Sequence, residues 1–514
     1  MILILDFGSQ YSQLIARKIR GFGVYSQIVP FNTSLDEIRA LAPLGIVLSG
    51  GPASVGEKGA PRVESGLLEL GVPILGICYG MQLLVHLLGG DVAPQAHSEY
   101  GRATLSVAKG AEDDPIVAKL PDATTVWMSH NDAAVRLPRD WRTLASTGSC
   151  PQALVRHRKL PLIGFQFHPE VHHTAQGQRL LQNFVVGVCG AKRDWKMTDY
   201  IEQAVDDIRT RLDAAPRGAR IVSAVSGGVD STVMAVLLHR AAGDRFMPVF
   251  VDNGLLRADE PDAVVANFRD GLGMNIKKID AAKHFVRKLK GVTEPEEKRR
   301  IIGREFVNIF FRDLRKNDFL AQGTLYPDVI ESVNVKGPSA TIKTHHNRVP
   351  EILQLMKEDR VIEPLRELFK DEVRELGLKL GISRDLLWRQ PFPGPGLGVR
   401  ILGEVTAARL EILKKADKIV LDEIKAAGLY QKIWQSFAVL LPVKAVGVMG
   451  DLRTYADVIA LRAVNSVDGM TADFVHLPWD LLGRVSSRII NEVAGVNRVV
   501  YDISSKPPGT IEWE

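Results

Sequence analysis

The cysteine at position 78 lies between two glycines, in the segment Gly76-Ile77-Cys78-Tyr79-Gly80. An apolar strand-like run precedes this segment and an apolar helix-like run follows it, which is the arrangement of a nucleophile elbow with cysteine in place of serine. The glycines permit a tight turn, the helix N-terminus favours a thiolate, and the Tyr79 backbone N–H would donate to an oxyanion. The segment therefore predicts a thiol nucleophile, and the alternative is a buried structural cysteine.

The segment FQFHPE, residues 165–170, contains a base and a group that could orient it, as a thiol nucleophile requires. Phe165 and Phe167 alternate as in a strand, so His168 and Glu170, two residues apart, are predicted to point to one face. Taken separately, the histidine would be a core residue and the glutamate a solvated charge. Their occurrence together with the cysteine elbow predicts a catalytic set of Cys78, His168 and Glu170.

A pair of glycines, Gly50 and Gly51, follows another apolar run in the segment SGGP, residues 49–52. Because glycine has no Cβ, its backbone N–H can approach a ligand closely. The pair could therefore complete an oxyanion hole for the thiol site, although such a segment also serves as an ordinary turn.

The hexapeptide SGGVDS, residues 226–231, lies between a strand-like run and a helix-like run. Two glycines and two hydroxyls at such a turn predict a phosphate cradle on a helix N-terminus. Asp230 would repel a phosphate unless Mg²⁺ bridges the two, so it predicts a metal ligand. The pattern is not a P-loop, and the alternative is a glycine turn with a polar cap. The predicted phosphate-binding residues are Ser226, Gly227, Gly228, Val229, Asp230, Ser231 and Thr232.

The elements that would position these residues follow from the apolar pattern. In the first part of the chain, strand-like and helix-like runs alternate, which predicts an α/β fold; the strands are 1–7, 45–49 and 72–78, and the helices are 8–20 and 81–88. A second α/β unit opens with a strand over 220–225, a helix over 231–240 and a strand over 246–251. The last part predicts a small α+β domain with a helix over 405–427 and strands over 438–441, 445–449 and 498–503.

Two interruptions divide these parts. The polar segment CGAKRDWKM, residues 189–197, separates the first two, and QPFPGPGLG, residues 390–398, separates the last two because proline and glycine interrupt helix and strand alike. We therefore predict three domains, over residues 1–190, 195–390 and 391–514.

The amino-acid composition limits the classes of protein to which this chain can belong. The 514 residues include 65 basic and 60 acidic side chains, so the net charge of +5 gives little support for nucleic-acid binding. Three cysteines, a sparse and odd number, favour a reducing compartment over a disulfide framework. No run approaches the ~20 apolar residues of a membrane span, and the first ten residues, MILILDFGSQ, are typical of a core strand rather than a signal peptide. We therefore expect a cytoplasmic protein with no membrane partner.

The elbow GICYGMQ, the segment FQFHPEV and SGGP together resemble the class I glutamine amidotransferases over residues 1–190. The resemblance implies that Cys78 attacks the glutamine carboxamide, that a glutamyl thioester forms and that ammonia leaves. It also implies that His168 is the base and acid, that Glu170 orients it, and that Gln82 contacts the substrate.

The SGGVDS loop resembles the N-type ATP pyrophosphatase superfamily, whose fold is adenine-nucleotide α-hydrolase-like. Several longer segments resemble the family of glutamine-hydrolysing GMP synthases over essentially the whole chain: residues 296–306, 320–332, 342–347, 391–401, 450–455 and 505–514. The resemblance implies adenylation of XMP by ATP with Mg²⁺, displacement of AMP by ammonia to give GMP, and a homodimer formed through the C-terminal domain.

The same resemblance implies a nucleotide-substrate site for XMP that consists of Arg299, Gln435, Lys506, Ile511 and Glu512. Arginine and lysine suit a phosphate, and Glu512 could accept hydrogen bonds from a purine. We therefore predict that the tail, residues 505–514, builds part of this site rather than a frayed terminus. One departure from many bacterial members lies after HHN, where residues 348–351 read RVPE instead of a glycine-rich lid.

Two alternatives compete with this interpretation. One is another glutamine-dependent ligase of the pyrophosphate-loop group, such as a CTP or NAD synthase type, against which the segments KPPGTIEWE and PFPGPG argue. The other is a regulatory or RNA-binding protein with a decayed amidotransferase, against which the intact Cys78, His168, Glu170 and SGGVDS argue.

Overall fold

The protein is described here from a computed structural model, which describes residues 1–9, 11–333, 350–449, 452–466 and 471–514. The predicted lid departure at Arg348 and Val349, and the segment 342–347, lie outside these residues. The chain forms two compact units. Of the described residues, the first unit contains 1–199 and 326–333, and the second contains 200–325 and the residues from 350 onward.

Nine of the described strands form one sheet in the first unit. They are β1 (Ile2–Asp6), β2 (Ser26–Pro30), β3 (Gly45–Leu48), β4 (Ile74–Ile77), β5 (Asp91–Val107), β6 (Ala123–Arg136), β7 (Trp141–Ser146), β8 (Leu154–His157) and β9 (Leu162–Phe165). The helices are α1 (Ser12–Arg20), α2 (Leu35–Leu41), α3 (Tyr79–Leu87) and α4 (Gly177–Gln182); α5 (Met197–Asp213) crosses the division between the units, and α10 (Tyr326–Val333) belongs to the first.

The strand order in this sheet is β2-β1-β3-β4-β9-β8-β7-β5-β6. The first five strands in that order are parallel, and the remainder pair antiparallel. Residues of β1, β3, β4 and β9 are buried throughout, as expected for parallel strands covered on both faces. Because parallel strands end at one edge of a sheet, the segments after β3, β4 and β9 meet there.

The second unit begins with a parallel sheet in the order β12-β11-β10-β13-β14 among the described strands. These are β10 (Ile221–Ala224), β11 (Phe246–Asp252), β12 (Lys277–Asp280), β13 (Phe319–Ala321) and β14 (Val361–Ile362). The helices are α6 (Val229–Ala242), α7 (Glu260–Ala266), α8 (Ala282–Lys288), α9 (Pro295–Phe310), α11 (Pro350–Lys357), α12 (Lys370–Lys379) and α13 (Arg384–Leu387).

The last part of this unit adds α14 (Ala407–Ala426), β15 (Gln435–Met449), β16 (Leu452–Ser466), β17 (Ala472–Phe474), α15 (Trp479–Glu492) and β18 (Val496–Asp502). β16 pairs antiparallel with β15 and β17, and parallel with β18. One cluster of buried apolar residues extends through much of the second unit, from Val222 in β10 through Leu397 to Val496. The predicted domain boundaries near 190 and 390 remain predictions.

The predicted elements differ from the structure in two places that matter. The strands predicted over 438–441 and 445–449 are one strand, β15, whose register shifts between Leu441 and Lys444; Pro442 lies in that interval and has no N–H to donate to the ladder. The strand β9 ends at Phe165, so His168 and Glu170 lie beyond the strand that was predicted to carry them. In the described part of the chain, no helix is both long enough and apolar enough to cross a bilayer.

Candidate active site

Cys78 sits in the sharp turn between β4 and α3. Its backbone is left-handed, with φ 50° and ψ −106°, and its N–H donates to the Phe165 carbonyl at 2.7 Å. The glycines on either side are required by close backbone contacts: a Cβ at Gly76 would lie 2.5 Å from the Gly80 backbone, and one at Gly80 would lie 2.3 Å from the Leu48 oxygen. The elbow predicted from the sequence is therefore present, with the thiol at the carboxyl edge of the sheet.

His168 lies just beyond β9, the neighbour of β4, and its Nδ1 is 2.6 Å from Glu170 Oε1. Both side chains are buried. Burial opposes the charged form of His168, but the Glu170 carboxylate and the Cys78 sulfur outweigh it, so the pKa of His168 is raised well above its usual value. Thr174 Oγ1 donates to the His168 carbonyl at 2.6 Å and fixes the turn. The arrangement favours the imidazolium form of His168 beside the Cys78 sulfur.

Gly50 borders this pair from the end of β3. A Cβ at position 50 would lie 3.2 Å from His168 Cε1 and 3.8 Å from Cys78 Cβ. Gly51 instead lies against β1, since a Cβ there would be 2.8 Å from the Phe7 oxygen. Gly50 therefore lies beside the thiol, whereas Gly51 is required because a larger residue would clash with the Phe7 backbone.

Tyr79 and Gln82 are the two other residues predicted for this site, and both are on α3. The Tyr79 ring points away, with its hydroxyl donating to the Pro61 carbonyl at 2.6 Å; only its backbone N–H, in the first turn of the helix, faces the elbow. Gln82 is buried, and its Nε2 donates to the Asp132 carbonyl on β6 at 2.7 Å.

Gln166 is a residue of the site that the sequence prediction missed. It is fully buried, with Nε2 3.8 Å from Cys78 Sγ and Oε1 3.4 Å from Gln82 Nε2. The Ser129 carbonyl of β6 is also close, 3.7 Å from the same sulfur. Gln166 is two residues before His168, so the same two-residue spacing that predicted His168 and Glu170 would also have identified Gln166. No sequence pattern identified Ser129.

The SGGVDS segment forms the turn from β10 to α6, as predicted. Gly228 is the N-cap of α6, and Gly227 has φ +72°, with Val264 so close that a Cβ would lie 2.4 Å from it. Hydroxyl groups hold the loop: Ser226 Oγ is 3.2 Å from Ser231 Oγ, and Thr232 Oγ1 donates to the Gly228 carbonyl at 2.8 Å. The helix N-terminus and the exposed loop backbone form a site suited to an anion.

Asp230 is in the first turn of α6, where its two carboxylate oxygens have different surroundings. Oδ2 accepts from Lys370 Nζ, on α12, at 2.8 Å, while Oδ1 is buried and has no hydrogen-bond partner among the described residues. A buried carboxylate oxygen that the protein leaves open is suited to a hard divalent cation such as Mg²⁺. Lys370 and Arg389, which donates to the Gly227 carbonyl at 3.0 Å, were missed because they lie far along the chain.

The residues predicted for the nucleotide substrate are partly brought together. Gln435 Nε2 donates to Glu512 Oε1 at 2.7 Å, and Ile511 packs in a small cluster that includes Phe437 and Ala472. Lys506 is held by its backbone, which pairs with Ala472, the first residue of β17. The tail therefore packs against β15, β16 and β17, and its part in a nucleotide site stays a prediction.

Three basic residues hold the end of the tail, and of these only Arg299 was predicted for the site. Arg400 is completely buried and donates to both oxygens of Glu512, at 3.0 and 2.8 Å. Arg299 donates to the Glu514 main-chain carbonyl, and the neighbouring Lys298 pairs with the Glu514 carboxylate. Glu512 is thus engaged by Arg400 and Gln435 in this structure.

Comparison with known proteins gives matches over the whole chain. A sequence from Aquifex aeolicus named GMP synthase [glutamine-hydrolyzing] is 54% identical over 100% of this chain and 99% of its own. Sequences with the same name from Wolinella succinogenes and Nitratiruptor sp. are 52% and 53% identical, over 100% of this chain and 98% and 99% of theirs. The chain belongs to the glutamine-hydrolysing GMP synthase family.

Two family models match separate parts of this family member. The model "Glutamine amidotransferase class-I" matches residues 3–188 and so includes the Cys78, His168 and Glu170 arrangement. The model "GMP synthase C terminal domain" matches residues 422–513, which include Gln435 and Glu512. Together with the α/β sheets, these matches confirm the predicted fold class, a class I amidotransferase domain joined to the parts of a GMP synthase.

Proposed function

We propose that the protein makes GMP by glutamine-dependent amination of XMP, with ATP cleaved to AMP and pyrophosphate through an adenylyl-XMP intermediate. The observation that carries this proposal is the intact Cys78, His168 and Glu170 arrangement in a chain that matches GMP synthases along its full length. The substrates are glutamine, XMP and ATP.

The first half of the reaction is assigned to residues 1–190. The Cys78 thiolate attacks the glutamine carboxamide carbon, and the Gly50 and Tyr79 backbone N–H groups stabilise the oxyanion. His168 gives its proton to the departing nitrogen, the C–N bond breaks, and ammonia leaves a glutamyl thioester that water then hydrolyses. Glu170 keeps His168 charged and oriented, which the 2.6 Å contact and the raised pKa of His168 support.

The second half is assigned to residues 195–390, where the 226–232 loop would hold the ATP phosphates. The N-terminus of α6 and the loop N–H groups face the anion, while Lys370 and Arg389 add positive charge beside the loop. The open Asp230 Oδ1 would hold Mg²⁺, which supplies charge neutralisation of the pyrophosphate when bound.

The XMP site is assigned to Arg299, Gln435, Lys506, Ile511 and Glu512. Gln435 and Glu512 already contact one another and could exchange this contact for hydrogen bonds to the purine. Lys506, at the edge formed with β17, would meet the phosphate. Arg400 would hold the Glu512 carboxylate in place and direct it toward the base.

We further propose a cytoplasmic homodimer formed through residues 391–514. The hairpin of β15 and β16 carries apolar side chains that are largely exposed, including Val448 at 75%, Leu452 at 72% and Tyr455 at 63%. Exposed apolar patches of this kind mark protein interfaces in soluble proteins, and the hairpin edge would pair with a second copy.

The proposal is tested by incubating the protein with XMP, ATP, Mg²⁺ and either glutamine or ammonium. Parent protein should form GMP, AMP and pyrophosphate from either nitrogen source. Cys78→Ala should lose the glutamine-dependent reaction and keep the ammonium-dependent one, with Cys189→Ala as the control that keeps both. Formation of ADP instead of AMP, or no GMP from either source, would contradict the proposed function.

A further inference from the structure

Glu99, His130 and Cys150 form a second cluster of reactive side chains in the first unit, outside the set that surrounds Cys78. One ligand atom of each lies within 4.8 Å of the other two. Glu99 on β5 and His130 on β6 are register partners, with Glu99 Oε2 3.1 Å from His130 Nε2. Cys150 follows β7 in a turn closed by the Thr147 N–H and the Cys150 carbonyl at 2.9 Å. The sheet thus brings a carboxylate, an imidazole and a thiol together.

The cluster is buried, but its hydrogen bonding is incomplete. His130 is 5% exposed and Cys150 is 2% exposed, and His130 Nδ1 is buried with no hydrogen-bond partner among the described residues. The ring nitrogen that faces the cluster is Nε2, which meets Glu99 Oε2, so a metal would take the place of this contact.

We propose that Glu99, His130 and Cys150 bind a divalent transition metal, with Zn²⁺ the best match. Thiolate, imidazole and carboxylate are the three side-chain ligands that Zn²⁺ takes in proteins. With bonds of about 2.0–2.3 Å, tetrahedral ligands lie roughly 3.3–3.8 Å apart, so a small inward movement completes the set. The fourth position would be left to water, which can enter past the partly exposed Glu99.

The three side chains would balance the charge of a divalent cation at this place, although forming the thiolate costs free energy. Burial raises the pKa of the Cys150 thiol to about 12, and the Glu99 carboxylate adds to the effect, so without a cation the thiol stays protonated. Burial lowers the pKa of His130, which keeps the imidazole in its neutral, metal-binding form. A divalent cation with one thiolate, one carboxylate and one neutral imidazole is a neutral group. Binding should therefore release the thiol proton to solvent.

Neighbouring side chains orient the three proposed ligands, and one ligand is adjacent in sequence to a residue that contacts Cys78. Ser149 Oγ and Thr147 Oγ1 both donate to Glu99 Oε1 and orient the carboxylate. His130 directly follows Ser129, whose carbonyl is 3.7 Å from Cys78 Sγ. A metal on His130 would fix the segment of β6 that borders Cys78.

The test uses full-length protein with Cys78→Ala, which removes the other thiol–imidazole pair and makes the result independent of glutamine hydrolysis. Titration with Co²⁺ should give one bound equivalent, a thiolate-to-cobalt charge-transfer absorption and release of a proton. Adding Cys150→Ser should abolish the absorption and weaken binding by at least roughly ten- to a hundredfold, the range seen even for outer-shell changes. Cys189→Ser, which changes the remaining cysteine, should alter neither.

One further variant decides the case if Cys150→Ser folds poorly. Glu99→Gln should keep the charge-transfer absorption and weaken Co²⁺ binding, because it removes a charged oxygen ligand and leaves the thiolate. The proposal is overturned if the Cys78→Ala protein shows no charge-transfer absorption with Co²⁺, or if the absorption survives Cys150→Ser or is lost in Cys189→Ser.

Discussion

Arg400 and Glu512, 112 residues apart in the sequence, form a two-point ion pair with N–O distances of 3.0 and 2.8 Å. The guanidinium is fully buried and lies over the Phe437 ring at 3.9 Å. A planar guanidinium fixes a carboxylate in both position and direction. The pair therefore determines where the end of the chain lies against β15.

Glu512→Ala should lower the free energy of unfolding by up to about 3–5 kcal/mol, because it leaves the buried Arg400 charge with only the more distant Asp417, at 3.9 Å. Urea unfolding of the parent and the variant measures the difference. The matched control is Asp36→Ala, which removes the exposed partner of Arg39 and should cost less than about 1 kcal/mol. Equal losses in the two variants would show that the Arg400 pair contributes no more than a surface pair.

Glu170→Gln should reduce stability in a pH-dependent way. The folded-state pKa of His168 is raised above its unfolded value, so the stability that protonated His168 contributes is fully present below about pH 6.5, the ordinary histidine pKa, and is lost as pH rises through the folded pKa. The variant lacks most of this contribution. Thermal unfolding should show the largest difference from the parent at low pH and a shrinking difference at alkaline pH, whereas a constant offset would argue against an ionic His168–Glu170 pair.

Asp230→Asn should abolish GMP formation from glutamine and from ammonium alike. The substitution keeps the size of the side chain and removes the charge that is proposed to hold Mg²⁺ against the phosphates, and losing such stabilisation costs on the order of several kcal/mol. Initial rates with each nitrogen source measure the effect, with glutamine hydrolysis as a check of folding. The control is Asp262→Asn, an exposed change on α7 that should leave GMP synthesis intact. If Asp230→Asn retained GMP synthesis, Asp230 would not belong to the ATP site.

Lys506→Ala should weaken XMP binding roughly ten- to a hundredfold, since a charge-assisted hydrogen bond is worth ~1.5–3 kcal/mol. The KM for XMP measures this, while the KM for ATP should stay unchanged. Lys415→Ala, on the exposed face of α14, is the control. An unchanged KM for XMP would show that the tail has a purely structural role.

Point substitutions are a better test of the tail than a deletion. Deleting residues 506–514 would also leave Arg400 and Lys298 without their carboxylate partners in the tail.

Local patterns in the sequence predicted the parts of the site that depend on local geometry. Cys78 was identified because its flanking glycines and the strand-to-helix transition are adjacent in the chain, and the 226–231 loop was identified in the same way. Gln166 was overlooked although it shares the spacing of His168 and Glu170. The strand-like alternation from Phe165 to Glu170 was wrong beyond Phe165, because β9 ends there and a turn held by Thr174 follows.

Contacts between distant segments had no such local signal. The pairing of Lys370 with Asp230 joins residues 140 apart, and the cluster of Glu99, His130 and Cys150 depends on the long antiparallel pair β5 and β6, which the apolar pattern did not predict. Sequence spacing constrains neighbours along a helix or strand, while such contacts depend on how the sheet is ordered.

The buried apolar cluster from Val222 to Val496 couples the unfolding of the two parts of the second unit. Arg257, before α7, forms a buried ion pair with Asp417 on α14 at 2.9 Å, across the proline-rich segment at 390–398. Neither side of that segment can expose its apolar face without uncovering the other. The second unit should therefore melt in a single cooperative transition, and a chain cut at residue 390 should yield two halves that survive only by reassociating.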